Sequence, residues 1–254
     1  MALPRYVDRG TSYNGLLPQG VKWLLIINTV VFVLKGLLDG QFGQDIRILE
    51  LAPVAVIYHF AIWQLVTYLF LHGGIWHLVF NMLTLWMFGA PLEQTWGTRQ
   101  FLKYYFICGI GAGLCDVALN AAIGNWRTST IGASGAIYGL LLAYGVIFPD
   151  QTVLMGFLFP IKAKYMVMIY AAIELWMSLS VNSGVSNIAH LGGMAVGFVY
   201  LKSRVRARVQ ARRKWKLPDW RGAYNQWKLQ RAKKKFQVYM KKHDDPRGGG
   251  PWVN

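Results

Sequence analysis

Six apolar segments constrain the fold of this 254-residue chain more than any other feature of its sequence. Most of them approach the roughly 20 residues that a helix needs to cross a bilayer. A bilayer core accepts only helices or closed barrels, because backbone polar groups find no water there. The sequence therefore predicts an all-α, polytopic membrane protein built as a bundle of six transmembrane helices. The segments cover approximately residues 21–38, 76–95, 101–123, 131–148, 165–181 and 187–201.

Positive charge is distributed very unevenly along the chain. Residues 202–254 contain 17 Lys and Arg against three Asp and Glu, whereas residues 1–201 contain 10 against eight. An even number of spans places both termini on one side, and cytoplasmic segments are enriched in Lys and Arg. We therefore expect a cytoplasmic segment over residues 1–20, a membrane domain over residues 21–201 and a basic cytoplasmic tail. The first apolar run has no cleavage pattern after it, so we expect a retained span rather than a signal peptide.

Two short motifs lie at the starts of the fourth and sixth apolar segments. Ser134 lies in Gly132-Ala-Ser-Gly, and His190 lies in Ala-His-Leu-Gly-Gly193. A helix N terminus favours negative charge beside such a serine, and histidine is a common general base for a serine nucleophile. Both segments are short, so their first residues would lie below the outer membrane surface, in a cavity that admits water. The pattern indicates acyl-transfer chemistry within the bilayer.

Helix packing offers both an alternative to this hypothesis and a way to assemble the site. Glycine and serine are common in membrane helices, so Gly132-Ala-Ser-Gly taken alone also fits small-residue packing. However, G-x-x-x-G pairs that start at Gly135 and Gly193 would bring the two helices into close contact. Ser134 and His190 would then meet at the outer ends of their helices. Tyr138, one turn after the serine, could stack on the histidine ring.

A second polar group lies around the second apolar segment. His77 and Asn81 are four residues apart and share one helix face, with His72 just before them. The imidazole and the amide can both donate hydrogen bonds to a developing oxyanion. Two alternatives are a structural hydrogen-bond network and a zinc site formed by His72, His77 and His190. The zinc site is disfavoured, because the H-E-x-x-H pair with its acid is missing.

Together, these motifs resemble those of the rhomboid family of intramembrane serine proteases. The resemblance covers approximately residues 60–201 and depends on three motifs in this order on separate segments. They are H-G-x-x-x-H-x-x-x-N from His72, G-x-S-G around Ser134 and A-H-x-x-G-x-x-x-G around His190. The resemblance implies a Ser134 nucleophile and a His190 base that form a dyad without an acid. It also implies an oxyanion hole formed by His77, Asn81 and the Ser134 backbone N–H. Matching supporting positions are His72, Gly132, Tyr138, Gly193 and Gly197.

The function implied by the resemblance is that of an intramembrane serine endopeptidase, which cleaves transmembrane segments of single-span membrane proteins. We expect it in a bacterial inner membrane, with its site open to the outer side and with no metal or cofactor. The main alternative is a non-catalytic membrane protein that binds transmembrane segments on the same scaffold. A transporter is a weaker alternative, because the polar residues cluster on the outer side rather than along a path through the membrane.

Three positions extend or depart from this pattern. The first outer loop carries Trp63-Gln64 where family members often carry Trp-Arg, which leaves the hydrogen bonding of that loop open. Glu93 falls where the family has a structural glutamate at the inner end of the second span. Glu174 falls in the middle of the fifth segment. We interpret it as a structural acid, with a gating contact or a proton path as alternatives.

The basic tail has apolar residues at helical spacing among its lysines, which predicts an amphipathic helix. Such a helix suits the anionic cytoplasmic leaflet of a membrane, so anionic lipids are the expected partner of the tail. A solvated tail that only enforces topology is the alternative. Charge alone also fits nucleic acid, but we do not expect a nucleic-acid partner beside a membrane. The apolar residues are Leu229, Ala232, Phe236, Tyr239 and Met240.

Overall fold

Helices coincide with all six apolar segments in the computed structural model of the chain. The predicted all-α, polytopic membrane bundle is therefore confirmed. Residues 1–16 of the expected cytoplasmic segment and 179–181 of the fifth apolar segment lie outside the described residues. The structure describes residues 17–155, 159–178, 187–214 and 220–243.

The helices differ in their ability to cross a bilayer. Within the described chain, three are long and apolar enough to do so: Gln19–Leu38 in α1, together with α4 and α5. By contrast, α6 has 14 residues and α7 has 16, so the number of six spans stays a prediction. In chain order the helices are α1 (Gln19–Ile46), α2 (Pro53–Tyr58), α3 (Gln64–Thr67), α4 (Ile75–Trp96), α5 (Thr98–Ala122), α6 (Ser134–Ile147), α7 (Ala163–Ser178), α8 (Asn187–Lys214) and α9 (Trp220–His243).

Glycines allow α6 to pack closely against its neighbours on two sides. A Cβ atom added at Gly193 of α8 would lie 1.9 Å from the carbonyl oxygen of Gly135 in α6. On the α5 side, a Cβ atom at Gly139 would lie 2.6 Å from the Cβ atom of Cys108. Helix backbones in lipid approach this closely only where side chains are absent. The two G-x-x-x-G pairs thus place the start of α6 beside the start of α8.

We expect Gly193→Ala to destabilise the protein by about 1–3 kcal/mol, which is typical of overpacking. The clash is with backbone, which cannot rotate away as a side chain can. Gly36→Ala in α1 is the matched control, because a Cβ atom there would meet nothing within 4 Å. Thermal unfolding in detergent should show a lower Tm for Gly193→Ala and an unchanged or slightly higher Tm for the control, since alanine favours helix. Equal Tm values for the two variants would contradict this packing.

The segment between α1 and α4 is tied down by the side chain of Gln64. Gln64 is 3% exposed. Its Oε1 accepts a hydrogen bond from the Ala52 N–H at 3.1 Å, and its Nε2 donates one to the Ile48 carbonyl at 3.1 Å. The neighbouring Trp63 indole also donates to Ile48, at 2.9 Å. The amide of Gln64 therefore supplies hydrogen bonds in this loop, where many family members would have a guanidinium group.

Glu93 joins the start of α1 to the end of α4. Its fully buried carboxylate accepts hydrogen bonds from the backbone N–H groups of Gly20 and Val21, both at 2.8 Å. The Thr98 hydroxyl donates a third hydrogen bond at 2.6 Å. A carboxylate at a helix N terminus satisfies free N–H groups and complements the helix dipole. These contacts give Glu93 the structural role that the resemblance implies.

A two-stranded hairpin between α6 and α7 was not predicted from the sequence. Strand β1 (Thr152–Met155) pairs antiparallel with β2 (Phe159–Lys162). At its base, the exposed Asp150 carboxylate lies 2.9 Å from the Lys164 ammonium group. The hydrogen bond from Lys164 holds the pKa of Asp150 below its usual value. Exposed pairs of this kind contribute little to stability.

The chain divides into two compact units, Met1–Ser203 and Arg204–Asn254. The second unit contains α9, so the helix predicted in the basic tail is present. Its apolar side chains are exposed, including Leu229 at 61% and Phe236 at 64%. Exposed apolar residues interspersed with lysines are typical of a helix that binds another surface.

Candidate active site

Ser134 and His190 meet at the adjoining starts of two helices. Ser134 is the first residue of α6, and His190 lies in the first turn of α8. The distance from His190 Nε2 to Ser134 Oγ is 2.7 Å. This is the length of a strong hydrogen bond, and an unprotonated Nε2 would accept the serine proton. His190 is 8% exposed and the serine is half-buried, so the pair is sheltered but reachable.

Gly132 forms the turn that presents Ser134. Its φ angle is +123°, a conformation that side chains rarely allow. A Cβ atom there would also lie 2.8 Å from His77 Nε2 and 3.7 Å from Ser134 Oγ. The Gly132 N–H donates to the Tyr68 carbonyl at 2.9 Å, which anchors the turn. Glycine at this position therefore lets the histidine and serine side chains converge on one small space.

The orientation of His77 allows its ring to donate a hydrogen bond into that space. Its Nδ1 atom accepts a long hydrogen bond from the Gly73 N–H at 3.4 Å, which leaves the proton on Nε2. His72 is 1% exposed and packs its ring edge-on against His77, with centroids 5.0 Å apart. Thus His72 supports the ring whose Nε2–H faces the space beside Ser134.

Asn81 lies one turn after His77 on α4. Its side chain is 8% exposed, and its amide nitrogen has no hydrogen-bond partner in the part of the chain that the structure describes. A buried donor without a partner is costly, and such groups in native proteins often have a functional role. The Asn81 amide is therefore a candidate donor to an anion that forms only during a reaction.

The His190 ring is held on its face and on its second nitrogen. The Tyr138 ring stacks on it, with centroids 4.2 Å apart and an interplanar angle of 10°. Glu174 Oε2 lies 3.0 Å from His190 Nδ1, and the Tyr138 hydroxyl donates a hydrogen bond to Glu174 Oε1. The contact with Glu174 was not predicted from the sequence. An ionisable residue in the middle of an apolar segment was the available signal.

The zinc alternative fits this geometry poorly. The two ring nitrogens of His190 face Ser134 and Glu174, so neither is directed at a ligand set with His72 and His77. Among the described residues, no group of three or more His, Cys, Asp or Glu side chains could hold a metal ion.

The remaining predicted residues, Gly193 and Gly197, lie farther along α8. A Cβ atom at Gly197 would lie 2.4 Å from the Tyr104 hydroxyl.

Comparison with known proteins shows the family to which the chain belongs. A family model described as the rhomboid domain matches residues 59–206, which is more than half of the chain. The chain belongs to the rhomboid family. This family includes serine intramembrane proteases, and its membership together with the apolar helices makes the chain an integral membrane protein.

Several curated rhomboids are distantly similar to this chain. Human Rhomboid-related protein 3 is 26% identical over 218 residues, which cover 77% of this chain and 51% of that protein. Rhomboid-like protease 3 of Toxoplasma gondii is 28% identical over 182 residues, or 70% of this chain and 66% of its own length. RHOMBOID-like protein 4 of Arabidopsis thaliana is 33% identical over 138 residues, which cover 54% of this chain and 32% of that protein. The matched part of this rhomboid thus covers between 32% and 66% of the length of these relatives.

Proposed function

We propose that this rhomboid is an intramembrane serine endopeptidase that cleaves transmembrane segments of single-span membrane proteins. The observation that carries the proposal is the 2.7 Å contact between Ser134 Oγ and His190 Nε2. A similarity to Rhomboid-like protease 3 of Toxoplasma gondii supports it at the level of the family. By the resemblance, preferred substrates have small residues at the cut and a loosened helix.

In the proposed reaction, His190 takes the proton of the Ser134 hydroxyl, and the oxygen attacks the scissile carbonyl. Negative charge then develops on the carbonyl oxygen. The His77 Nε2–H, the Asn81 amide and the backbone N–H of Ser134 stabilise it as the oxyanion hole. His190 next gives its proton to the leaving amine, and water hydrolyses the acyl-enzyme.

A fluorophosphonate probe tests this proposal directly, because it forms a covalent bond only with an activated serine. We expect the full-length protein in detergent to be labelled and Ser134→Ala to remain unlabelled. Cleavage of a reconstituted single-span substrate should follow the same pattern. Binding of that substrate without labelling or cleavage would instead support the alternative of a protein that binds transmembrane segments without cleaving them.

We also propose cytoplasmic termini in a bacterial inner membrane, with the active site open to the outer side. The orientation is supported by the concentration of Lys and Arg from residue 202 onward and by the position of Ser134 and His190 at the starts of their helices. Reporter fusions test the orientation. A periplasm-dependent reporter should be active after Gly124, between α5 and α6, and inactive after Ser203.

The tail helix α9 is proposed to bind anionic lipid headgroups. Each Lys or Arg at an anionic surface contributes about 1 kcal/mol at low salt. Replacing Lys234 and Lys235 by glutamine removes about 2 kcal/mol and should therefore weaken binding of the 220–243 peptide to anionic vesicles about thirtyfold. Vesicle co-sedimentation measures the change, with uncharged vesicles as the control. Equal binding to charged and uncharged vesicles, or tight binding to RNA at physiological salt, would contradict the proposal.

A further inference from the structure

Glu174 lies on α7 and contacts two residues of the candidate site. Resemblance to the family implies a dyad with no acid, and the sequence alone suggested a structural role for Glu174. We propose instead that Glu174 is the positioning residue for His190, so that the chain carries a Ser134–His190–Glu174 triad. This inference rests on the proposed protease function and adds a residue to it.

The distances around His190 are those of a triad. Its Nε2 lies 2.7 Å from Ser134 Oγ, and its Nδ1 lies 3.0 Å from Glu174 Oε2. Within the described residues, neither Nδ1 nor Oε2 has a partner that meets the angular requirement of a hydrogen bond. The contact therefore has the length of a hydrogen bond but lacks its alignment. Hydrogen bonds of catalytic groups are often poorly aligned without substrate and tighten when substrate binds.

Burial explains why the carboxylate needs this contact. Glu174 is 5% exposed and His190 is 8% exposed, so both polar groups are nearly removed from solvent. A buried carboxylate is costly unless donors satisfy its oxygens, and more so inside a membrane. The Tyr138 hydroxyl satisfies Oε1. The His190 ring nitrogen is the adjacent donor for Oε2, which places the ring proton on Nδ1.

A proton on Nδ1 has a direct chemical consequence. It leaves a lone pair on Nε2, the atom that faces Ser134, so the ring is in the tautomer that a general base requires. The proton then moves from Ser134 Oγ to Nε2 and later from Nε2 to the leaving amine. Glu174 remains ionised throughout and stabilises the positive ring that exists between these two transfers.

The other buried glutamate shows what a structural carboxylate looks like in this fold. Glu93 is 0% exposed, and its oxygens accept hydrogen bonds from two backbone N–H groups and from Thr98. These donors fix the ends of helices. By contrast, Glu174 contacts the side chains of Tyr138 and His190, which also stack on each other. Its contacts therefore converge on the base and not on a helix end.

The test compares Glu174→Gln with the wild type in the full-length protein in detergent. Because the Tyr138 hydroxyl donates to Oε1, it holds the amide oxygen of the new glutamine and leaves the amide NH₂ facing Nδ1. This arrangement favours the tautomer with its proton on Nε2, which cannot accept the proton of Ser134. We expect kcat and the rate of fluorophosphonate labelling each to fall at least tenfold, with little change in KM or Tm.

Three further variants separate positioning from structure. Glu174→Asp keeps the charge and should label faster than Glu174→Gln. Glu174→Met removes the buried charge while keeping similar volume, so it should fold, yet it should label at least tenfold more slowly than the wild type. Glu93→Gln is the matched control, because it alters a buried carboxylate outside the site; its Tm should fall while its labelling rate is retained.

Two results would overturn different claims. Folded Glu174→Gln or Glu174→Met protein that labels and cleaves as fast as the wild type would remove Glu174 from the mechanism and leave the Ser134–His190 dyad in place. A wild-type protein that shows no Ser134-dependent labelling or cleavage would instead overturn the proposed protease function itself. The triad is supported only when the wild type is active and the loss follows the removal of the carboxylate.

Discussion

Replacing either Ser134 or His190 by alanine is expected to lower kcat for cleavage of a single-span substrate by at least a thousandfold. The two side chains act as one unit through the 2.7 Å contact between Oγ and Nε2, so removing one leaves the other without a role in bond making. The double variant should therefore be no slower than either single variant. Turnover in proteoliposomes measures the effect.

Matched controls are available for both substitutions. Ser203 on α8 and His59 at the end of α2 are exposed, and Ser203 lies 13 residues beyond His190. We expect Ser203→Ala and His59→Ala to retain the wild-type kcat. Ser134→Ala, Ser203→Ala and His59→Ala should keep the wild-type Tm within a few degrees, because none of them removes a large buried side chain. His190→Ala should lower Tm, because it leaves the buried Glu174 Oε2 without its neighbour and removes the ring that stacks on Tyr138. Turnover above a few per cent of wild type in folded Ser134→Ala or His190→Ala protein would contradict the proposed mechanism.

The elements predicted correctly from the sequence depend on local signals. An apolar segment in lipid forms a helix because its backbone polar groups find no water there, and helices coincide with all six segments. The position of Ser134 at the first residue of α6 follows from Gly132, whose φ of +123° ends the preceding loop. Likewise, Gly193 and Gly135 predicted a close helix contact because G-x-x-x-G pairs have that one common use in membranes.

The contact between Glu174 and His190 could not be derived in this way. It depends on the depth and rotation of α7 relative to α6 and α8, and a residue on a mostly apolar helix does not specify which neighbour it faces. The α7 segment carries no glycine pair to set that rotation. The hairpin after α6 was missed for a related reason, since two strands of four residues are too short for a clear alternating pattern.

Gln64 illustrates a substitution whose consequence only the structure resolves. Glutamine carries no charge, unlike arginine, so the sequence alone does not predict which hydrogen bonds Gln64 makes in the loop. The amide is a donor and an acceptor at once, and it uses both functions, toward Ile48 and Ala52. A guanidinium group cannot accept a hydrogen bond, so the Ala52 N–H is a partner that glutamine can satisfy and arginine cannot.

Asn81→Ala is the second prediction with a large expected effect. The Asn81 amide nitrogen is buried without a partner in the described structure, so alanine removes no ground-state hydrogen bond made by that donor. If the amide serves the oxyanion, its interaction exists chiefly in the transition state. One such donor contributes about 3 kcal/mol, so kcat should fall about a hundredfold with little change in KM or Tm.

Asn120→Ala is its matched control and should show the opposite pattern. Asn120 is also buried on a membrane helix, but its amide nitrogen donates to the Asp116 carbonyl and carboxylate at 3.0 and 3.1 Å. Loss of these ground-state bonds should lower stability by about 1–3 kcal/mol and leave kcat unchanged. A change confined to KM in Asn81→Ala would assign Asn81 to substrate binding. A loss of Tm equal to that of Asn120→Ala would make it structural, because only a bond present before the reaction can stabilise the resting fold.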